Sequence, residues 1–159
     1  MANDTFSLSR SITINAAPQE IYPHIQDLRK WQGWSPWEGM DDNLQREYTG
    51  ADSGVGQKYA WSGNRKAGAG SMEIVRVDEP STVGIDLAFT KPFKAQNDTL
   101  FELSQHGEST VVTWTMSGKQ TLMGKAMNLF GGMEKMVGPD FERGLAQLKT
   151  LVDGQKGSR

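Results

Sequence analysis

The sequence predicts an α+β fold, in which a curved, seven-stranded antiparallel sheet wraps around one long C-terminal helix. From 57 to 118, apolar and polar residues alternate in short segments separated by turn residues, which is the pattern of half-buried strands. From 122 to 152, apolar residues recur at spacings of three and four, which indicates helix. Because a long sheet must bury one face, we expect the helix to cover it and to leave a space within the curve.

The first strand is predicted at residues 5–14, where apolar residues share one parity. Arg10 shares that parity, so it should lie at an edge or extend to solvent, or else reach into a cavity as an anion partner. Two short helices are expected next. Pro18 suits a first helical position, Pro23 should bend or tighten that helix, and a second helix is expected near residues 28–32.

Turns rich in Gly, Pro and Asp separate the remaining strands. These strands are predicted at residues 44–49, 58–62, 71–77, 83–89, 95–105 and 110–118. A shorter helix is expected near residues 122–130, and the main helix should end near Asp153. Gly138-Pro139 should interrupt or kink it.

Composition excludes several classes of function. The chain has 159 residues, a formal net charge of −2 and no cysteine. A nucleic-acid-binding protein needs a clustered basic surface, whereas Lys and Arg are scattered here. Without a signal-like N-terminus or about 18 consecutive apolar residues, we expect a cytoplasmic protein that does not insert into membranes. Residues 1–159 should form a single domain with a frayed tail at 154–159, as a monomer or a homodimer.

No metal site and no cofactor is predicted. The two histidines, His24 and His106, lie in different predicted elements, and both are expected at the surface. No nucleophile with a plausible base is evident. The sequence Gly54-Val-Gly56 is similar to part of a nucleotide-binding loop, but it leads into a strand, so we expect a hairpin loop with positive φ angles.

Three tryptophans, Trp31, Trp34 and Trp37, lie within seven residues in a region split by Gly33 and Pro36. Their spacing is too irregular for one helix. We expect a loop whose indoles fill one end of the core. The alternative is a lip that controls access of a ligand.

Several segments resemble polyketide cyclase/dehydrase-like members of the START (SRPBCC) superfamily, over roughly residues 5–152. These segments are Ile12–Trp37, Gly50–Gly56 leading into Tyr59-Ala-Trp61, Gly68–Ile74, Phe89–Phe93, Thr113–Gly118 and Phe141–Lys149. The resemblance implies the helix-grip fold, with a deep cavity between the sheet and the C-terminal helix. It also implies a sterol, lipid, polyketide or similar apolar ligand.

The residues expected to line this cavity are aromatic, Met, Leu and a few buried polar side chains on the inner faces of the strands and helix. They are Trp34, Tyr59, Trp61, Met72, Leu87, Phe89, Asn97, Thr99, Phe101, Trp114, Met116, Met127, Phe130, Met133 and Phe141. Pockets are usually lined by such residues, with a few polar groups that fix the ligand. Asn97 could equally bond a neighbouring protein group.

Three functions are compatible with this pattern. The first is binding of a small or medium-sized hydrophobic or aromatic molecule. The second is a cyclase or dehydratase, for which Tyr59 and Asn97 are the candidate acid–base residues. The third is a protein-interaction module, which would expose an apolar patch around Trp31, Trp34 and Trp37.

Overall fold

The structure is a computed structural model that describes residues 5–36, 43–64, 68–91, 94–119 and 132–157. The elements in chain order are β1 (Thr5–Ile14), α1 (Pro18–Ile21), a first 3₁₀ helix (Tyr22–His24), a second 3₁₀ helix (Leu28–Gly33), β2 (Gln45–Gly50), β3 (Gln57–Ser62), β4 (Ala69–Asp78), β5 (Thr82–Lys91), β6 (Ala95–His106), β7 (Ser109–Lys119) and α2 (Gly132–Gly157).

The seven strands form one antiparallel sheet in the order β1-β7-β6-β5-β4-β3-β2. This topology confirms the predicted fold class. The strands are joined in sequence by hairpins from β2 to β7, and β1 then pairs with β7 at one edge. Alternation places one set of side chains on the inner face, as in β5, where Val83, Ile85 and Leu87 are buried.

The C-terminal helix α2 packs against β1 through one apolar stripe. Phe141, Leu145, Leu148 and Val152 are buried at helical spacing along it. The helix extends to Gly157, beyond the end predicted near Asp153, and so includes part of the predicted tail. Pro139 lies inside the helix and does not end it. The shorter helix predicted at residues 122–130 lies outside the described residues.

Arg10 lies on the edge strand β1 and reaches α2. Its Nε donates to Glu142 Oε2 at 2.9 Å, and its Nη1 donates to the Ser9 carbonyl at 2.8 Å. A Cβ placed on Gly138 would lie 2.6 Å from the Arg10 guanidinium, so the glycine makes room for this side chain. The edge position expected for Arg10 is therefore observed, and the guanidinium joins the strand to the helix.

The glycine-containing loop between β2 and β3 is a hairpin loop, as expected. Gly54 and Gly56 have φ angles of 68° and 95°, which favour glycine. The loop is held at its end by Gln57, whose side chain is fully buried. Gln57 Oε1 accepts from the Leu28 backbone at 2.7 Å, while Nε2 donates to Asp27 Oδ1 at 2.9 Å and to a loop carbonyl at 3.0 Å.

The expectation that His24 lies at the surface is wrong. His24 is buried, with 8% of its surface exposed, because the first 3₁₀ helix turns it toward the core. His106, the last residue of β6, is exposed, as expected. Among the helices of the described residues, none is both long and apolar enough to cross a bilayer.

Three carboxylates lie side by side on the outer face of the sheet. Asp86 pairs across the strands with Glu73 on one side and with Asp98 on the other. Burial, the charge of Asp98 and the charge of Glu73 raise the pKa of Asp86 above its ordinary value of 3.8. Because its folded-state pKa is raised, ionised Asp86 opposes folding, and this penalty develops as the pH rises above 3.8.

Replacement of Asp86 by Asn should therefore stabilise the protein at neutral pH. Like charges directly opposite each other across strands destabilise by up to about 1 kcal/mol, so we expect a gain of that order at pH 7. Below pH 3.8 the wild-type carboxyl becomes protonated, and the difference should fall toward zero. Urea unfolding from pH 3 to 7 measures both quantities.

A matched control is Asp140→Asn, which removes a carboxylate that pairs with Arg143 at 2.9 Å. It should give no gain at pH 7, because the lost charge is complementary. A stabilisation by Asp86→Asn that does not change with pH would contradict the electrostatic explanation.

Candidate functional site

The inner face of the sheet has two parts that differ in packing. The first is the packed aromatic cluster, defined as Trp31, Trp34, Phe101, Trp114 and Phe141, of which each is at most 4% exposed. Trp114 stacks on Phe141 with ring centroids 4.1 Å apart and planes at 4°, and on Phe101 at 4.9 Å. Trp31 and Trp34 meet Trp114 edge-on at 6.1 and 5.8 Å.

Trp31 in the second 3₁₀ helix and Trp34 directly after it are both held by hydrogen bonds to backbone carbonyls. Trp31 Nε1 donates to the Ile25 carbonyl at 2.9 Å, and Trp34 Nε1 donates to the His24 carbonyl at 3.0 Å. This agrees with indoles that fill one end of the core. Trp31 and Trp34 therefore form no exposed apolar patch, and Trp37 lies outside the described residues.

The second part lies toward β2, β3 and the paired ends of β4–β7. We call it the partly exposed half because its rings are half-buried, whereas its other members are buried. Its members from the predicted lining set are Tyr59, Trp61, Met72, Leu87, Phe89, Asn97, Thr99 and Met116. One row of paired residues crosses five strands, from Tyr48 through Tyr59, Met72 and Leu87 to Asn97. Eight of the fifteen predicted lining residues thus lie at neighbouring positions on the inner face.

Of the other predicted lining residues, four lie in the packed aromatic cluster, namely Trp34, Phe101, Trp114 and Phe141. Met127 and Phe130 lie outside the described residues. Met133 belongs to α2, and its side chain is outside the description.

Two buried polar side chains lie among the apolar residues of the partly exposed half. Asn97 and Thr99 on β6 are 6% and 5% exposed. Thr99 pairs with Ile85 on one side and with Met116 on the other. Within the part of the chain that the structure describes, its Oγ1 has no hydrogen-bond partner. Asn97 pairs with Gly118 on β7. Because glycine has no side chain, the paired position on β7 places no side chain beside the Asn97 amide.

Four rings form an aromatic ribbon, defined as Tyr48, Tyr59, Trp61 and Phe89. Tyr48 and Tyr59 are stacked with centroids 4.9 Å apart and planes at 26°, and Tyr59 and Trp61 are stacked at 5.9 Å and 20°. Trp61 meets Phe89 edge-on at 5.8 Å. All four side chains are half-buried.

Gly70 explains how Trp61 on β3 reaches Phe89 on β5, across the intervening strand. Gly70 pairs with both residues, and a Cβ placed on it would lie 2.7 Å from the Trp61 indole. The absence of a side chain therefore lets the indole lie across β4. Tyr48 and Gly70 are not among the predicted lining residues, although the pairing of Tyr48 with Tyr59 follows from a simple β2–β3 hairpin register.

The two residues considered for acid–base catalysis are far apart. Tyr59 lies on β3 and Asn97 on β6, three strand spacings away in the same row. Neighbouring strands lie about 4.8 Å apart, so the two backbones are separated by about 14 Å. They cannot act on one proton through a direct hydrogen bond. The arrangement is suited to holding a molecule through apolar contact and a few polar contacts.

Comparison with known proteins gives one family. Residues 5–153 match the family described as "Polyketide cyclase / dehydrase and lipid transport". Protein MLL2253 from Mesorhizobium loti shares 18% sequence identity and a TM-score of 0.65, over 93% of this chain and 97% of that chain. Protein Ms6760 from Mycobacterium smegmatis shares 18% identity and a TM-score of 0.62, over 91% and 89%. Ara h 8.0201 shares 12% identity and a TM-score of 0.62, over 98% and 99%.

At these identities the solved structures support the fold alone. Comparison with curated proteins gives no match. The family match, in contrast, spans nearly the whole chain and includes every segment on which the resemblance was based. The chain therefore belongs to the polyketide cyclase / dehydrase and lipid transport family.

Proposed function

We propose that this protein binds a hydrophobic or aromatic small molecule, such as a lipid or a polyketide, on the partly exposed half of the inner face. The family description names both kinds of molecule. Apolar contact with the half-buried rings of Tyr59, Trp61 and Phe89 would supply most of the affinity, at roughly 25 cal/mol per Å² of apolar surface removed from water. Asn97 and Thr99 would orient the molecule.

The observation that carries this proposal is the Thr99 hydroxyl. A buried hydroxyl without a partner costs about 1–3 kcal/mol, so the folded protein is less stable than one with an apolar side chain there. A ligand carbonyl or hydroxyl would satisfy Thr99 Oγ1 and recover that free energy on binding. The neighbouring Asn97 amide offers both a donor and an acceptor to the same ligand.

The variant Thr99→Val tests this role because valine has the same shape without the hydroxyl. Without ligand, it should be at least as stable as the wild type, since an unsatisfied polar group is removed. Thr110→Val is the matched control. Thr110 is also buried, but its Oγ1 donates to the Ala16 carbonyl at 2.7 Å, so its loss should cost about 1–3 kcal/mol.

Binding of 2-naphthol and of naphthalene, measured by isothermal titration calorimetry, completes the test. The wild type should bind naphthol about 2- to 10-fold more tightly, as expected for one hydrogen bond. Thr99→Val should lose this preference, and Thr110→Val should keep it. No binding of either probe to the wild type, or an unchanged preference in Thr99→Val, would overturn the proposal.

A further inference from the structure

We propose that the aromatic ribbon, together with Arg29, selects a planar aromatic ligand that carries an acidic group. This inference rests on the proposed function and specifies the ligand class of the same site. The ribbon would contact the ring system of the ligand, and Arg29 would bind its carboxylate. The residues involved lie at the β2–β3 end of the partly exposed half.

The ribbon is suited to rings because aromatic pairs gain from ordered geometry beyond simple burial. Offset-stacked and edge-to-face pairs gain about 0.5–1.5 kcal/mol each, which corresponds to roughly 2- to 10-fold in affinity. Both geometries already occur within the ribbon, between Tyr59 and Trp61 and between Trp61 and Phe89. A planar ligand can extend the ribbon by either geometry, whereas a flexible alkyl chain gains only from burial.

The second 3₁₀ helix fixes the end of the ribbon and places a cation there. Gln32 Nε2 donates to the Tyr48 hydroxyl at 2.8 Å, and the Arg29 guanidinium lies 5.0 Å from the centroid of the Tyr48 ring. Arg29 and Gln32 are three residues apart, so they lie on the same side of this helix. Gln32 therefore holds the Tyr48 hydroxyl, and Arg29 lies over one face of the Tyr48 ring.

Arg29 places a positive charge at this end of the ribbon. Within the described residues, the Arg29 guanidinium contacts the Tyr48 ring and the Asp52 carbonyl, the latter at 3.4 Å, and neither group is a carboxylate. The carboxylate of Asp27 accepts from Gln57 Nε2 and from the Arg29 backbone. A planar fork such as guanidinium matches a carboxylate in two parallel hydrogen bonds.

Three probes of similar size separate the contributions of the ring and of the charge: 2-naphthoate, 2-naphthalenemethanol, and the saturated decalin-2-carboxylate. Calorimetry should give the tightest binding for naphthoate. Decalin carboxylate should bind about 3- to 10-fold more weakly, because it cannot stack. Naphthalenemethanol should bind about 3-fold more weakly, and only the two acids should lose affinity as the salt concentration rises.

Two variants assign these differences to residues. Tyr59→Leu should abolish the preference of naphthoate over decalin carboxylate. Arg29→Gln, an exposed change outside the core, should weaken naphthoate about 3- to 10-fold and leave naphthalenemethanol within 2-fold. The control Leu145→Met conserves volume on α2, at a buried position outside the proposed ligand site, and should leave both ratios unchanged.

The outcomes distinguish the two proposals. If all three probes bind the wild type equally, or if Arg29→Gln weakens acid and alcohol alike, the aromatic-acid inference is overturned while ligand binding stands. If none of the probes binds, while long-chain alcohols do, the inference also falls. Absence of binding by every apolar probe overturns both.

Discussion

Trp114→Ala should lower the free energy of unfolding by about 3–5 kcal/mol. Trp114 is 1% exposed, and its indole lies between Phe101 and Phe141. It therefore connects the sheet to α2, and its removal leaves a cavity that rigid rings on both sides cannot fill. Guanidinium chloride unfolding, followed by far-ultraviolet circular dichroism, measures the loss.

The matched control is Trp61→Ala. Trp61 belongs to the aromatic ribbon and is half-buried, so its removal should cost clearly less, about 1–2 kcal/mol. This pair compares the packed aromatic cluster with the partly exposed half using the same substitution. Equal losses at the two positions would show that the two parts of the inner face are packed alike.

Gln57→Leu should cost about 3 kcal/mol. The substitution removes three hydrogen bonds, and it leaves the buried Leu28 backbone N–H without its acceptor, which alone costs about 1–3 kcal/mol. The loop between β2 and β3 should then separate from the second 3₁₀ helix. Amide hydrogen exchange of Leu28 and Gly54 should accelerate, because both amides donate across this contact.

Gln32→Leu is the control for this prediction. Gln32 is exposed and makes one hydrogen bond, to the Tyr48 hydroxyl, so its loss should cost less than about 1 kcal/mol. If Gln57→Leu is no more destabilising than Gln32→Leu, the buried amide does not hold the loop in place.

The strands could be predicted from the sequence because their signal is local. Alternation in β5 and the turn residues on either side of each strand specify where it begins and ends to within about two residues. The seven-stranded topology then follows from hairpins between successive strands. The helix end was predicted less well. Gly154 directly after Asp153 is a typical C-terminal stop signal, yet the helix continues through it to Gly157.

The site could be predicted only in part, because parity identifies the face of a strand but not the packing along it. Thr99 and Phe101 share a face of β6, yet Phe101 lies in the packed aromatic cluster and Thr99 lies beside the partly exposed residues. That difference arises from where the second 3₁₀ helix and α2 contact the sheet. The partners of Gln57 are similarly non-local, since Leu28 lies 29 residues away in the chain.

The ribbon illustrates a third limit. Tyr59 and Trp61 were predicted to line a cavity. The continuous ring contacts from Tyr48 to Phe89, however, depend on the space that Gly70 leaves by having no side chain. The signal was present in the sequence as a glycine within a predicted strand. Such a glycine often marks close approach of another group to the backbone, and here that group is the Trp61 indole.

Methyl NMR of the wild-type protein, titrated with 2-naphthoate, shows directly which part of the inner face accepts a ligand. The methyl groups of Met72, Leu87 and Met116 should shift and give intermolecular contacts with the naphthalene protons. Those of Leu145 and Leu148, which pack behind the aromatic cluster, should remain in place. Shifts confined to Leu145 and Leu148, or no shift in any of the five residues at saturating probe, would contradict a ligand site on the partly exposed half.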